Sequence, residues 1–168
     1  FYSSRLYVLE GRKEITMFID DTIAAIATAT GEGGIGIIRI SGMHSLEIAK
    51  KVFRSISNKQ PEEYPRTLCY GHIVKDNTVL DEVLTVYMPA PHTYTKEDIV
   101  EIQCHGGMIA TKMILEWVLE NGARMAEHGE FTKRAFLNGR IDLSQAEAIK
   151  DIISAQTAKS FLVAQNQL

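Results

Sequence analysis

From Thr22 to Cys104 the chain alternates short β-rich runs with amphipathic stretches, so its hydrophobic period switches repeatedly between two residues and about 3.6. That switching restricts the fold to a mixed domain in which helices flank a sheet. The β-rich runs are Thr22–Ala27, Gly36–Ile40, Leu68–Val74, Leu80–Tyr87 and Ile99–Cys104, which predicts an α+β domain with a mixed sheet of about five strands. Between them, Ser45–Ile56 puts Leu46, Ala49, Phe53 and Ile56 on one helical face. Gly107–Glu120 reads as an apolar helix stopped by Asn121-Gly122, and Glu130–Leu137 as a short one stopped by Asn138-Gly139. Asp142 and Ser144 then offer N-caps, with Gln145 and Glu147 three residues further on, and the chain is helix-friendly from Ala146 to its last residue. A helix without a stop signal reads as the start of a longer helical region.

The 168 residues are 45% hydrophobic and 23% charged, a balance that supports one ordinary core. Phe1–Thr16 show neither period, and Met17 reads as the natural start; residues 1–16 are expected to be a leader or a mis-assigned start outside the fold. No apolar run reaches the length of a membrane span, and Cys69 and Cys104 are too few for a disulfide framework, so a cytoplasmic protein with free thiols is expected. The net charge of −3, spread along the chain, provides no cationic stripe for a phosphate backbone, and weak nucleic-acid binding by this segment follows.

Gly31-Glu32-Gly33-Gly34-Ile35-Gly36 matches the dinucleotide fingerprint in form, but that fingerprint opens a helix, whereas Ile37-Ile38-Arg39-Ile40 reads as a strand. The glycines suit either a tight hairpin turn or a backbone that a flat ligand must approach. No Gly-Lys-Ser/Thr occurs, so these residues contain no phosphate loop for GTP. Arg39 shares a strand face with Ile37, opposite Ile38 and Ile40; it reads as a snorkelling edge-strand arginine or as a ligand-binding one. Glu101 projects opposite Val100 and Ile102, and a carboxylate inside a strand calls for a salt bridge or a ligand. His105-Gly106-Gly107 opens a helix whose free amides favour partial negative charge. Cys69-x-x-His72 with Cys104-His105 lacks a metal-ligand spacing, and adjacent Cys104 and His105 point to opposite faces, which disfavours both zinc and Cys–His catalysis. Lys133, Arg134 and Arg140 form a basic group that reads as a solvated face or as a holder for an acidic ligand tail.

Three blocks carry a resemblance: Gly-Gly-Ile-Gly-Ile-Ile-Arg-Ile-Ser-Gly at 33–42, Tyr-Thr-Lys-Glu-Asp-Ile-Val-Glu-Ile-Gln-Cys-His-Gly-Gly at 94–107, and residues 129–149 from Gly-Glu-Phe-Thr-Lys-Arg through Asn-Gly-Arg to Ile149. In this order they closely resemble the signature blocks of the MnmE (TrmE) tRNA-modification GTPases. The resemblance implies a folate-binding and dimerisation domain over residues 17–141, related in fold to the tetrahydrofolate-binding part of aminomethyltransferases. Residues 142–168 would be the first helix of a truncated helical domain, which in full-length members is interrupted by a G domain that binds GTP, Mg²⁺ and K⁺.

The implied ligand is 5-formyl- or 5,10-methylene-tetrahydrofolate, a one-carbon source for the carboxymethylaminomethyl group installed at the wobble uridine of tRNA. The implied partners are a second copy of the chain, the FAD-dependent MnmG protein and, in the full complex, tRNA. The family's folate contacts fall on Arg39, Glu101 and Arg140, the last being lysine in some members; no catalytic residue and no metal ligand is expected within the chain. The chemistry is consistent: a pterin edge offers two adjacent N–H donors that a carboxylate accepts, while carbonyl oxygens and a glutamate tail ask for guanidinium donors. Two alternatives stand beside this reading, a stand-alone aminomethyltransferase-like folate enzyme and a purely structural dimerisation module.

Overall fold

A computed structural model of the chain describes residues 21–29 and 33–165, the last ten of them as backbone. The expected leader, Met17, Gly31, Glu32 and the Phe161 side chain lie outside what is described.

Among the described residues seven strands form one sheet: β1 Ile23–Ile26, β2 Ile35–Ser41, β3 Phe53–Ser55, β4 Cys69–Lys75, β5 Thr78–Met88, β6 Ile99–His105 and β7 Arg124–Met125. Their order across the sheet is β3-β4-β5-β6-β2-β1-β7. All neighbours pair antiparallel except β1 and β7, so the sheet is mixed as expected. The five strands read from the sequence are its centre. The two additional ones, β3 and β7, are three and two residues long, too short to show a period of their own.

The described residues form four helices, α1 Ser45–Val52, α2 Met108–Glu120, α3 Glu130–Leu137 and α4 Leu143–Gln165. α1 corrects the expectation of a helix running to Ile56. Phe53 takes extended angles (φ −99°, ψ 139°), and its ring packs against Gly71 of β4 in a space that any Cβ there would fill. Pairing with β4 thus captures a segment whose local pattern still favours helix. The buried stripe of α1 is Ser45, Ile48, Ala49 and Val52, whereas Ile56 is 51% exposed.

One sheet face carries Ala24, Ile38, Ile40, Val100, Ile102 and Cys104, and α1 and α2 close over it with Ile48, Val52, Ile114, Leu115 and Val118. The other face is half covered, by the β5–β6 connection (residues 89–98) and by α3: Ser41 Oγ meets Thr95 Oγ1 at 2.7 Å, and Asn138 Nδ2 donates to the Thr95 carbonyl at 2.7 Å. Asp142 caps α4 reciprocally, its Oδ1 accepting from Gln145 N at 2.7 Å while Gln145 Oε1 accepts from Asp142 N at 3.0 Å. α4 packs on α3 and leaves Leu143 and Ile152 more than half exposed, with Ile149 and Ile153 half-buried. Among the described residues no helix is long and apolar enough to cross a membrane.

Candidate ligand-binding site

The strand alternation that faces Ile38, Ile40, Val100 and Ile102 inward turns Arg39 and Glu101 onto the half-covered face. Because β2 and β6 are neighbours in direct register, these two residues stand opposite each other. Arg39 reaches one carboxylate oxygen with two donors, Nε at 2.8 Å and Nη2 at 2.7 Å from Glu101 Oε1. Both side chains keep some solvent contact, 29% and 18% exposed. Glu101 Oε2 and Arg39 Nη1 accept and donate no hydrogen bond among the described residues, so the pair offers one acceptor and one donor outward.

Two aromatic rings border the pair. The Arg39 guanidinium carbon lies 5.6 Å from the Phe131 ring centre and 5.9 Å from that of Tyr94, within cation–π range. Tyr94 Oη bonds Thr132 Oγ1 at 2.9 Å, which ties the connecting loop to α3. Arg140 follows α3 where Gly139 takes the left-handed conformation (φ 70°), and its guanidinium carbon sits 4.9 Å from the same Tyr94 ring. The structure therefore brings Arg39 and Arg140 to one tyrosine, with Glu101 joined to them through its ion pair with Arg39.

Sequence reasoning missed both rings. Each stands in one of the quoted blocks, but nothing in local periodicity marks a loop tyrosine as the neighbour of a strand arginine far away in the chain.

The basic group Lys133, Arg134 and Arg140 does not act as one surface. Arg134 is fully buried: its Nη2 meets Asp21 Oδ1 at 2.6 Å, and its Nη1 meets Glu97 Oε1 at 3.1 Å and the Asp21 carbonyl at 2.9 Å. Lys133 is exposed and lines a groove between α3 and α4 instead. The helical period separates the three residues, and only Arg140 remains at the site. Arg124 completes the buried network with Asp21 and Glu130, at 2.7 and 2.5 Å. The network locks α3, and with it Phe131 and Thr132, beneath the sheet.

Burial alone would raise the carboxyls of Asp21 and Glu130, but hydrogen bonds from Arg124 and the nearby charge of Arg134 outweigh it and hold both below their ordinary values. A depressed folded-state value means that the unfolded chain binds more protons as pH falls, so this stabilisation is present at neutral pH and is lost in acid. The urea midpoint should fall from about pH 4.5 downward; a midpoint that stays constant between about pH 5 and pH 3 would show that these pairs add nothing to folding.

At the far end of β6, His105 Nδ1 lies 2.7 Å from Asp81 Oδ1, and the hydrogen bond with that carboxylate raises the imidazole above its ordinary value. The α2 N-terminus beside it has no side-chain cap. Gly106 packs so tightly on Gly33 that a Cβ would collide with the Gly33 carbonyl oxygen, so the glycine run serves backbone contact between β2 and the start of α2. Cys69 and Cys104 are buried free thiols, and burial followed by the charge of Asp81 pushes Cys104 up to about 11, away from nucleophilic chemistry. Among the described residues no cluster of His, Cys, Asp and Glu could hold a metal ion.

Fold and site together define an α+β domain with a half-buried charged pair, ringed by aromatic side chains, on one face of its sheet. The family profile described as GTP-binding protein TrmE N-terminus matches residues 22–140. The chain is 63% identical over 153 residues to a protein of Clostridioides difficile strain 630 described as tRNA modification GTPase MnmE, covering 90% of this chain and 33% of that protein. Proteins of the same description from Alkaliphilus oremlandii and Geobacillus thermodenitrificans are 64% identical over 155 residues and 55% over 151, covering 90% and 88% of this chain and 34% and 33% of their own lengths. This chain belongs to the TrmE N-terminal family. It spans about a third of the length of the curated relatives it matches.

Proposed function

We propose that this chain is the tetrahydrofolate-binding and self-associating domain of a tRNA-modifying GTPase, holding 5-formyl- or 5,10-methylene-tetrahydrofolate at Arg39, Glu101 and Arg140. The observation that carries the reading is that Arg39, ion-paired with Glu101 across two neighbouring strands, and Arg140, at a helix exit, both lie against the Tyr94 ring. A carboxylate acceptor, guanidinium donors and flat rings are the groups that a pterin with a benzoyl-glutamate tail requires.

Residues 17–141 form the ligand-binding and dimerisation unit in this reading, and 142–168 begin a helical domain. GTP, Mg²⁺ and K⁺ belong to a G domain elsewhere in the protein, which works in the cytoplasm on tRNA together with an FAD-dependent MnmG-type partner. Family membership and the description of the relatives as tRNA modification GTPases support this assignment over a stand-alone aminomethyltransferase-like enzyme. A purely structural dimerisation module would leave the outward-facing acceptor and donor of the Arg39–Glu101 pair without a use.

Isothermal calorimetry of the chain with 5-formyl-tetrahydrofolate tests the proposal. Saturable binding near one ligand per chain is expected, together with twice the chain mass by light scattering at micromolar concentration. Absence of heat at millimolar ligand would reject the folate reading whatever the mass.

A further inference from the structure

Residues 89–98 connect β5 to β6 without strand or helix, yet they carry Tyr94, the ring that both Arg39 and Arg140 face. A segment with no backbone ladder keeps a fixed shape through its side chains or not at all. Here Thr93 and Thr95 flank Tyr94, and both are buried. Thr93 Oγ1 donates to the Glu97 carbonyl at 2.6 Å, and Lys96 N closes a turn on the Thr93 carbonyl at 3.3 Å. Within that turn Lys96 takes the left-handed conformation (φ 59°), which a lysine holds where its surroundings over-determine it.

The strongest of these surroundings is a buried relay. Thr95 Oγ1 and Ser41 Oγ are 2.7 Å apart, and Ser41 Oγ lies 2.7 Å from Glu97 Oε2. A carboxylate only accepts, so the Ser41 hydrogen goes to Glu97 and the Thr95 hydrogen goes to Ser41. Neither hydroxyl rotor is left free. Thr95 Oγ1 also accepts from Glu97 N at 3.3 Å, and the Thr95 carbonyl accepts from Asn138 Nδ2 at 2.7 Å. Glu97 Oε1 accepts from Arg134 Nη1 at 3.1 Å, which ties the relay to α3. Ser41 stands two residues beyond Arg39 on the same face of β2. The relay thus joins the three elements that carry Arg39, Tyr94 and Phe131, while Thr95 and Ser41, with no exposed surface, can touch no ligand.

We propose that the Thr95–Ser41–Glu97 relay is a positioning device, through which Thr95 sets the Tyr94 ring against Arg39 and Arg140 before a ligand arrives. It rests on the folate reading above only for the ligand; the fixed ring is a property of the unliganded chain. Preorganising the ring spares the ligand the cost of ordering it.

Calorimetric titration of the 168-residue chain with 5-formyl-tetrahydrofolate compares Thr95→Val, Thr95→Ser, Tyr94→Leu and Thr95→Val combined with Tyr94→Leu. Valine keeps the threonine shape without the hydroxyl, so Thr95→Val should weaken binding about 5-fold, the cost of ordering one side chain on binding. Thr95→Ser keeps the hydroxyl and should bind within about twofold of the parent. Added to Tyr94→Leu, Thr95→Val should cost less than about twofold more, because no ring is left to position. In the ligand-free chain the NMR signals of the Tyr94 ring should move toward solvent values in Thr95→Val and hold their places in Thr95→Ser. The positioning role is overturned if Thr95→Val binds as the parent does, if it weakens binding by the same factor on Tyr94→Leu, or if it leaves the ring signals unchanged. Should Thr95→Val fail to fold, Ser41→Ala breaks the relay at its middle and is read by the same measurements and criteria. If the unsubstituted chain does not bind the ligand, the folate reading fails, and the ring signals alone decide whether the relay holds Tyr94.

Discussion

Arg134→Met should destabilise the domain by about 3–5 kcal/mol, the usual cost of removing one partner from a buried ionic network. Arg134 is fully buried and bridges Asp21, Glu97 and Glu130, so its loss leaves Asp21 and Glu130 with Arg124 as their remaining guanidinium partner and removes the guanidinium partner of Glu97. Methionine fills much of the arginine stem volume, which confines the effect to charge and hydrogen bonding rather than a cavity. Among the described residues Arg134 Nε has no hydrogen-bond partner, so the network is not perfectly satisfied there, and replacing all its members by apolar residues would cost far less than removing one. Urea unfolding reads the change directly as a shift in midpoint at constant slope. A loss below about 1 kcal/mol would mean that water or a rearranged Arg124 neutralises the freed carboxylates. Folate affinity should fall as well, because α3 carries Phe131 and Thr132 and delivers Arg140.

Glu101→Gln is expected to reduce affinity for 5-formyl-tetrahydrofolate by about 30-fold or more. The substitution keeps the shape but turns one carboxylate oxygen into an amide nitrogen that donates; with Oε1 held by Arg39, a pterin N–H at the outer position then meets a donor instead of the Oε2 acceptor. Losing that charge-assisted hydrogen bond costs roughly 1.5–3 kcal/mol. The same change breaks the ion pair with Arg39, but that pair retains solvent contact, and its contribution to folding is at most about 1 kcal/mol. Calorimetry and thermal unfolding separate the two roles: the expected variant melts within a few degrees of the parent and binds folate poorly. A variant that binds folate normally and melts much earlier would make Glu101 a structural residue and remove it from the site.

What the sequence determined by itself is the part of this protein governed by local periodicity. Alternation in Ile37-Ile38-Arg39-Ile40 and in Val100-Glu101-Ile102 was enough to put Arg39 and Glu101 on the face opposite the core, because a strand's side-chain period is fixed by its backbone. The Asp142–Gln145 capping box and the helix stops at Asn121-Gly122 and Asn138-Gly139 were equally legible, since each is satisfied within a few residues. Tertiary structure decided everything that depends on which segments become neighbours. Pairing with β4 ended α1 at Val52 and made a strand of Phe53–Ser55, against the local helical pattern. The β2–β6 register turned two isolated strand residues into an ion pair. Packing of α3 on the sheet buried Arg134 among carboxylates, left Lys133 in solvent and set Arg140 against Tyr94, although all three read as one basic group along the chain. A charge's role follows from its desolvation and its partner, and both are set by contacts between residues distant in sequence.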